Sequence, residues 1–187
     1  GASFFTKQAN DRRFVSWHQD STYYGLRPAE TVTPWFAFSR SSVEAGCMRF
    51  VPGTHKHGLV PHDETWDKDN LLVRGQTIAG VDDDEAVDVE LEPGEISIHY
   101  ESVVHGSRAN RSNDARIGLS IHYIAPHVRQ TAFDGATALV VRGKDTYGYW
   151  KPDPEPSRDF DPVCLEALDR AYEQYKSGVG KLREGGN

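Results

Sequence analysis

Short runs of β-forming residues alternate with turn residues along most of this sequence, and this pattern limits the folds that the chain can adopt. Gly, Pro, Asn and Asp separate the runs, as at Pro52–Gly53 and Pro93–Gly94. Many short strands at such spacing favour a β-sandwich, jelly roll or barrel. The runs cover residues 14–18, 32–38, 48–51, 87–91, 96–100 and 117–124, with a further candidate at 138–142.

Helical periodicity is confined to the C-terminal part of the chain. After the start signal Pro162, apolar side chains recur at near-helical spacing in Val163, Leu165, Leu168 and Tyr172. This spacing predicts one amphipathic helix over about 162–177.

The length of the chain, 187 residues, suits one domain with a single core. We therefore expect one domain over residues 1–187. Its β core should lie at about 4–145, and the helix with its tail at about 160–187.

Composition and charge exclude several classes of protein. The net charge of -7 argues against a nucleic-acid partner, because phosphate binding needs a clustered basic surface. No apolar stretch approaches the ~20 residues of a membrane span. Gly1–Lys7 lacks the pattern of a signal peptide, and Cys47 and Cys164 show no disulfide or metal spacing. We expect a cytoplasmic protein with a small-molecule substrate; the oligomeric state is left open.

The sharpest local motif is His18-Gln19-Asp20. In a strand, residues i and i+2 project to the same face, so one imidazole and one carboxylate can approach a single cation. A second imidazole from a distant strand would complete a facial triad with open coordination positions. Taken alone, such a pair is more often surface polar residues.

Several histidines are alternatives for the third ligand: His55, His57, His62, His99, His105, His122 and His127. His105 is favoured because it ends a β-type run and is followed by Gly106 and Ser107. His99 and His122 alternate with apolar residues, and each also fits a half-buried strand histidine.

Arg116 lies eleven residues after His105 and opens the next β-type run. Its planar guanidinium can bind a carboxylate through two parallel hydrogen bonds and stays charged when enclosed. It is therefore a candidate for the far end of a dicarboxylate, although a surface strand arginine is the simpler interpretation of Arg116 alone.

Several segments together resemble the phytanoyl-CoA dioxygenase family of Fe(II)/2-oxoglutarate-dependent oxygenases. They occur in the family's order and cover about residues 14–125. The matching segments are Trp17-His18-Gln19-Asp20, Val32-Thr33-Pro34-Trp35, Gly46 to His55, Pro93-Gly94-Glu95, and His105 to Asn110 with Arg116.

The resemblance implies a double-stranded β-helix, the jelly roll of the cupins, that forms a single catalytic domain. It implies iron(II), 2-oxoglutarate and O2 as the reagents, with hydroxylation of a small organic molecule and release of succinate and CO2. By resemblance, the catalytic metal ligands are His18, Asp20 and His105, and the cosubstrate residues are Arg116, Ser107 and Trp35.

The resemblance also has implications for the N-terminal region, the reaction type and the substrate contacts. Family members carry an N-terminal helical region before the first matching segment; we expect it to be missing here, and Lys7 is a weak substitute for its cosubstrate contacts. Halogenating relatives have a small residue at the position of Asp20, so hydroxylation is expected rather than chlorination. The substrate candidates are Tyr23, Tyr24, Met48 and His55.

Two functions of other classes remain open. One is a cupin-like small-molecule binding module without redox catalysis, since a fold does not define a function. The other is a zinc hydrolase, because two histidines and a carboxylate also suit zinc. Neither gives Arg116 and Ser107 an obvious role.

Overall fold

The computed structural model describes residues 1–72 and 75–184. The helices are α1 (Ser21–Tyr24) and α2 (Pro162–Glu184), and short 3-10 turns cover Thr54–His57 and Asp83–Glu85. The strands are β1 (Ala2–Lys7), β2 (Val15–His18), β3 (Leu26–Arg27), β4 (Thr31–Ala37), β5 (Met48–Phe50), β6 (Asp63–Glu64), β7 (Gln76–Thr77), β8 (Val87–Val89), β9 (Ile96–Tyr100), β10 (His105–Ser107), β11 (Arg116–Ile121), β12 (Tyr123–Ile124), β13 (Arg129–Gln130), β14 (Thr137–Ala138) and β15 (Lys151–Pro152).

The described chain divides into two compact units. The first contains residues 1–23 and 30–124, and the second contains residues 24–29 and those from 125 onward. The expectation of a single catalytic domain over 1–187 stays a prediction.

Two antiparallel sheets make up most of the first unit. The five-stranded sheet has the order β1-β11-β4-β12, with β9 also paired to β4, and the four-stranded sheet has the order β2-β10-β5-β8. Trp35 and Ala37 of β4 pack against Met48 of β5 to form the buried apolar core. The core therefore lies between the two sheets, as in a jelly roll. The prediction of a mainly β fold with a C-terminal helix is confirmed.

The alternating burial along β4 and β11 explains why these segments form strands. Every second residue of each strand is buried, and the residues between them are more exposed. This period of two buries one face of a sheet.

The second unit contains two small sheets and α2. β3 pairs with β13 in antiparallel register, and β14 pairs with β15 in parallel register. The predicted C-terminal helix is present and longer than expected, since it continues to Glu184 instead of ending near 177. Among the described residues, no helix combines the length and the apolar character needed to cross a membrane.

The predicted strand at 138–142 is wrong beyond Ala138. β14 ends there, because β15 provides a partner for Thr137 and Ala138 only. Leu139, Val140 and Val141 are exposed. β1, by contrast, was not predicted, and it pairs with β11 along its whole length.

Candidate metal centre and anion pocket

Two neighbouring strands bring the predicted metal ligands together. His105 of β10 lies directly opposite His18 of β2 in the antiparallel register, and Asp20 follows β2 by two residues. All three side chains are buried. Their ligand atoms lie within 4.8 Å of one another. We call these three residues the metal-ligand cluster.

Hydrogen bonds fix the tautomers of both histidines. His18 Nδ1 lies 2.9 Å from the carbonyl oxygen of Ser16, and His105 Nδ1 lies 3.0 Å from that of Val103. A carbonyl only accepts, so each Nδ1 must carry the proton and each Nε2 of a neutral ring must carry a lone pair. Burial, and then His18, hold the pKa of His105 well below its usual value, which keeps its ring neutral.

The Nε2 atoms of both histidines, each with a lone pair, face the Asp20 carboxylate. His18 Nε2 is 3.4 Å and His105 Nε2 is 3.7 Å from Asp20 Oδ1. Three electron-pair donors therefore converge on one point, which is the arrangement that a divalent cation satisfies. Two imidazoles and one carboxylate fit iron(II) on one side and leave the other side open.

The second carboxylate oxygen of Asp20 has its own neighbours. His99 Nε2 and Thr33 Oγ1 each lie 3.4 Å from Asp20 Oδ2, and Thr33 Oγ1 lies 3.0 Å from His122 Nδ1. His99 and Thr33 are register partners on β9 and β4. His99 contacts the Asp20 carboxylate directly and His122 contacts it through Thr33, so both support its orientation. Neither histidine belongs to the group that could hold a metal.

Gln19, in the middle of the motif, is fully buried and points away from the cluster. Its amide nitrogen donates to the carbonyls of Gly58 and Ser102 at 2.8 and 2.7 Å, and its amide oxygen accepts from the Val60 N–H at 3.0 Å. Sequence reasoning missed this role, since only the fold shows which loops surround the motif. Gln19 ties those loops to the strand that carries His18.

The predicted cosubstrate residues also come together. Arg116 is 1% exposed; its Nη2 donates to the carbonyl of Gly46 at 3.0 Å and approaches Ser107 Oγ at 3.5 Å. Its Cζ lies 5.2 Å from the centre of the Trp35 ring. The Arg116 Nε is buried and has no acceptor among the described residues. Ser107 is on the same face of β10 as His105, so one strand carries both a metal-ligand residue and a neighbour of Arg116.

Lys7 is the main residue that sequence reasoning underrated. It lies opposite Arg116 in the β1–β11 register and is 0% exposed. Its Nζ donates to Ser107 Oγ at 2.6 Å, to the carbonyl of Gly46 at 3.4 Å, and to the carbonyl of Arg108. The sequence did not show its position opposite Arg116, because β1 itself was not predicted.

Lys7 and Arg116, which we call the cation pair, have no carboxylate partner in the ion pairs formed by the described part of the chain. Burial, and then the charge of Arg116, lower the pKa of Lys7 to about 6. Burial lowers the pKa of Arg116 to about 10. Uncompensated buried charge is unfavourable, so the pocket is electrostatically suited to an anion.

The predicted substrate residues are spread over different environments. The Tyr23 ring lies 5.9 Å from the His18 ring, at the metal-ligand cluster. Met48 belongs to the apolar core beside Trp35, and His55 is exposed in a 3-10 turn. Tyr24 belongs to the second compact unit. Of the four, Tyr23 is the residue with a described contact to a metal-ligand residue.

Comparisons with known proteins agree with this geometry. Residues 2–118 match the family described as phytanoyl-CoA dioxygenase (PhyH). A probable phytanoyl-CoA dioxygenase from Caenorhabditis elegans is 34% identical over 111 residues, which cover 57% of this chain and 35% of that protein. The chain thus spans about a third of the length of this curated relative.

Two solved structures are also similar to this chain. A non-heme monooxygenase, ThoJ, in its apo form has a TM-score of 0.84 and 31% identity, covering 98% of this chain and 67% of the other. The nickel complex of ThoJ has a TM-score of 0.75 and 28% identity, covering 96% and 64%.

Proposed function

The chain belongs to the phytanoyl-CoA dioxygenase family, and from that premise we propose that it is an Fe(II)- and 2-oxoglutarate-dependent dioxygenase. In the proposed reaction it hydroxylates a small organic molecule and releases succinate and CO2. The observation that carries the proposal is the convergence of three buried electron-pair donors in the metal-ligand cluster.

His18, Asp20 and His105 would hold the iron. When bound, iron(II) supplies the redox chemistry that couples O2 consumption to oxidation of the two organic substrates. The Nδ1 hydrogen bonds of His18 and His105 hold both rings with Nε2 toward Asp20, where each would be available to the metal. The His99 and Thr33 side chains sit at the outer oxygen of Asp20, which favours binding through the inner oxygen and leaves room for other ligands.

Arg116 and Ser107 would bind the distal carboxylate of 2-oxoglutarate. The Nε of Arg116, which is buried without an acceptor among the described residues, and the buried Ser107 hydroxyl would supply the donors. Trp35 packs against the guanidinium and fixes its plane. The Tyr23 ring beside His18 is the proposed substrate contact.

We expect hydroxylation and not halogenation, because the Asp20 carboxylate occupies the coordination position that a halide would need. Product formation by the unmodified protein that requires chloride would contradict this assignment.

The proposed function can be tested with iron(II) and 2-oxoglutarate added to the protein without oxygen. A weak visible charge-transfer band is expected from chelation of the metal by the keto acid. Admission of air should then yield succinate. An Asp20→Ala protein prepared in parallel should give neither the charge-transfer band nor succinate. A protein that binds the metal but shows no band and forms no succinate would be a binding module or a hydrolase instead.

A further inference from the structure

We propose that Lys7 is a positioning residue for the cosubstrate, which orients the Ser107 hydroxyl toward the distal carboxylate and places a second positive charge behind it. The inference rests on the proposed function, since it concerns how the same pocket selects a dicarboxylate. Lys7 would act through Ser107 and through its charge, without itself touching the cosubstrate.

The hydrogen bonds of Lys7 account for all of its donors. A lysine ammonium has three N–H groups and accepts none. Three acceptors surround it here, namely Ser107 Oγ and the carbonyl oxygens of Gly46 and Arg108. When Lys7 is protonated, its three N–H groups are used in this way and none is left for a ligand.

Ser107 is the group through which Lys7 acts. Its oxygen accepts from Lys7 Nζ at 2.6 Å and faces the Arg116 Nη2 at 3.5 Å. Because two cationic donors point at this oxygen, the single hydroxyl proton must be directed elsewhere. The distal carboxylate of a keto acid held by the metal on the same face of β10 would be its acceptor.

The charges around Lys7 leave an anion to be supplied from outside. Arg116 faces it from β11, and Cys47 lies near it at the start of β5. The carboxylate of Asp11 also acts on Lys7 through its charge, but it is already bound to Arg13 at 2.6 Å. The cation pair therefore carries up to two positive charges at one end of the pocket, which favours a dicarboxylate over a monocarboxylate keto acid.

Proton uptake should accompany cosubstrate binding. Burial and Arg116 lower the pKa of Lys7 to about 6 in the ligand-free protein. A bound carboxylate stabilises the ammonium and raises that pKa, so the complex binds more protons than the free protein. Affinity for the dicarboxylate is then highest at low pH and falls as the pH rises from about 6 toward the pKa of the complex.

The test is calorimetric titration of 2-oxoglutarate into the full-length, iron(II)-loaded protein without oxygen, in buffers of different ionisation enthalpy. The wild type should take up a proton near neutral pH and prefer 2-oxoglutarate to pyruvate. Lys7→Met should weaken 2-oxoglutarate binding roughly tenfold or more, abolish the proton uptake and reduce that preference. Lys144→Met, which removes an exposed lysine, should change none of these.

Two further measurements keep the outcome decisive. Ser107→Ala retains Lys7, so it should lower the affinity for 2-oxoglutarate but keep the proton uptake. Adding Lys7→Met to Ser107→Ala should lower that affinity by less than Lys7→Met does in the wild type. Wild-type binding without proton uptake overturns the inference even if Lys7→Met fails to fold. So does a folded Lys7→Met protein that binds like the wild type. A metal-loaded wild type that binds no 2-oxoglutarate would instead reject the proposed function.

Discussion

The metal-ligand cluster and the cation pair are both buried, and they differ in the charge of the ligand that each would attract. The first brings together three electron-pair donors, and the second brings together two basic groups that form no ion pair within the described part of the chain. They lie in the same compact unit and are linked by β10, which carries His105 and Ser107. Because unpaired buried charge is unfavourable, each region favours its own kind of ligand. A metal ion and a dicarboxylate are the two ligands that would relieve both.

The largest expected effect is at the metal-ligand cluster. Asp20→Ala should lower metal affinity by at least about 100-fold, because it removes a direct ligand where even supporting partners contribute 10–100-fold. Metal titration of both proteins, and their thermal unfolding with and without metal, would measure this loss. Tight metal binding by Asp20→Ala would remove this residue from the site.

A smaller effect is expected at the cation pair. Arg116→Met should weaken 2-oxoglutarate binding by about 2–3 kcal/mol, or roughly 30- to 150-fold, as a charge-assisted contact is lost. Metal affinity should stay unchanged, because Arg116 does not contact the metal-ligand cluster. Parallel titrations with metal and with 2-oxoglutarate would show whether the substitution weakens binding of the second ligand alone. Equal losses of affinity for both ligands would contradict this expectation.

The packing behind Arg116 can be tested through Gly118. A Cβ at position 118 would lie 1.8 Å from Trp35 Cζ2, so Gly118→Ala should destabilise the protein by about 1–3 kcal/mol through overpacking. Displacement of the Trp35 ring should also weaken 2-oxoglutarate binding more than metal binding. Urea unfolding measures the loss of stability, and adding Trp35→Phe should recover part of that stability. An unchanged unfolding midpoint would contradict the close contact.

A further expected effect is a pH dependence of stability due to Lys7. Its pKa is about 6 in the folded chain and 10.5 ordinarily, so between these values the unfolded chain binds more protons. Stability therefore rises with pH in this window, by at most about 1.4 kcal/mol per pH unit for one proton. Urea unfolding of the ligand-free protein should show that Lys7→Met gains more stability over wild type near pH 6.5 than near pH 9, since both values lie inside the window. A gain independent of pH would mean that Lys7 is not buried with a lowered pKa.

The sequence by itself determined the class of fold. It also indicated some of the residues that belong to the metal-ligand cluster and to the cation pair. Alternating apolar runs predicted most strands of the two large sheets, because a period of two is enough to bury one face. The His18-Gln19-Asp20 motif, His105 and Arg116 were found from residue chemistry, spacing and family resemblance. The apolar run at 138–142 misled the prediction, since a strand also needs a partner that can continue the ladder.

Only the tertiary structure decided which side chains of distant segments share one environment. The register of β1 on β11 sets Lys7 beside Arg116, and that of β9 on β4 sets His99 beside Thr33 and behind Asp20. Neither pairing follows from local propensity, because hydrogen bonds between strands far apart in the chain fix it. Burial then changes the chemistry of these groups, and burial is a property of the whole fold.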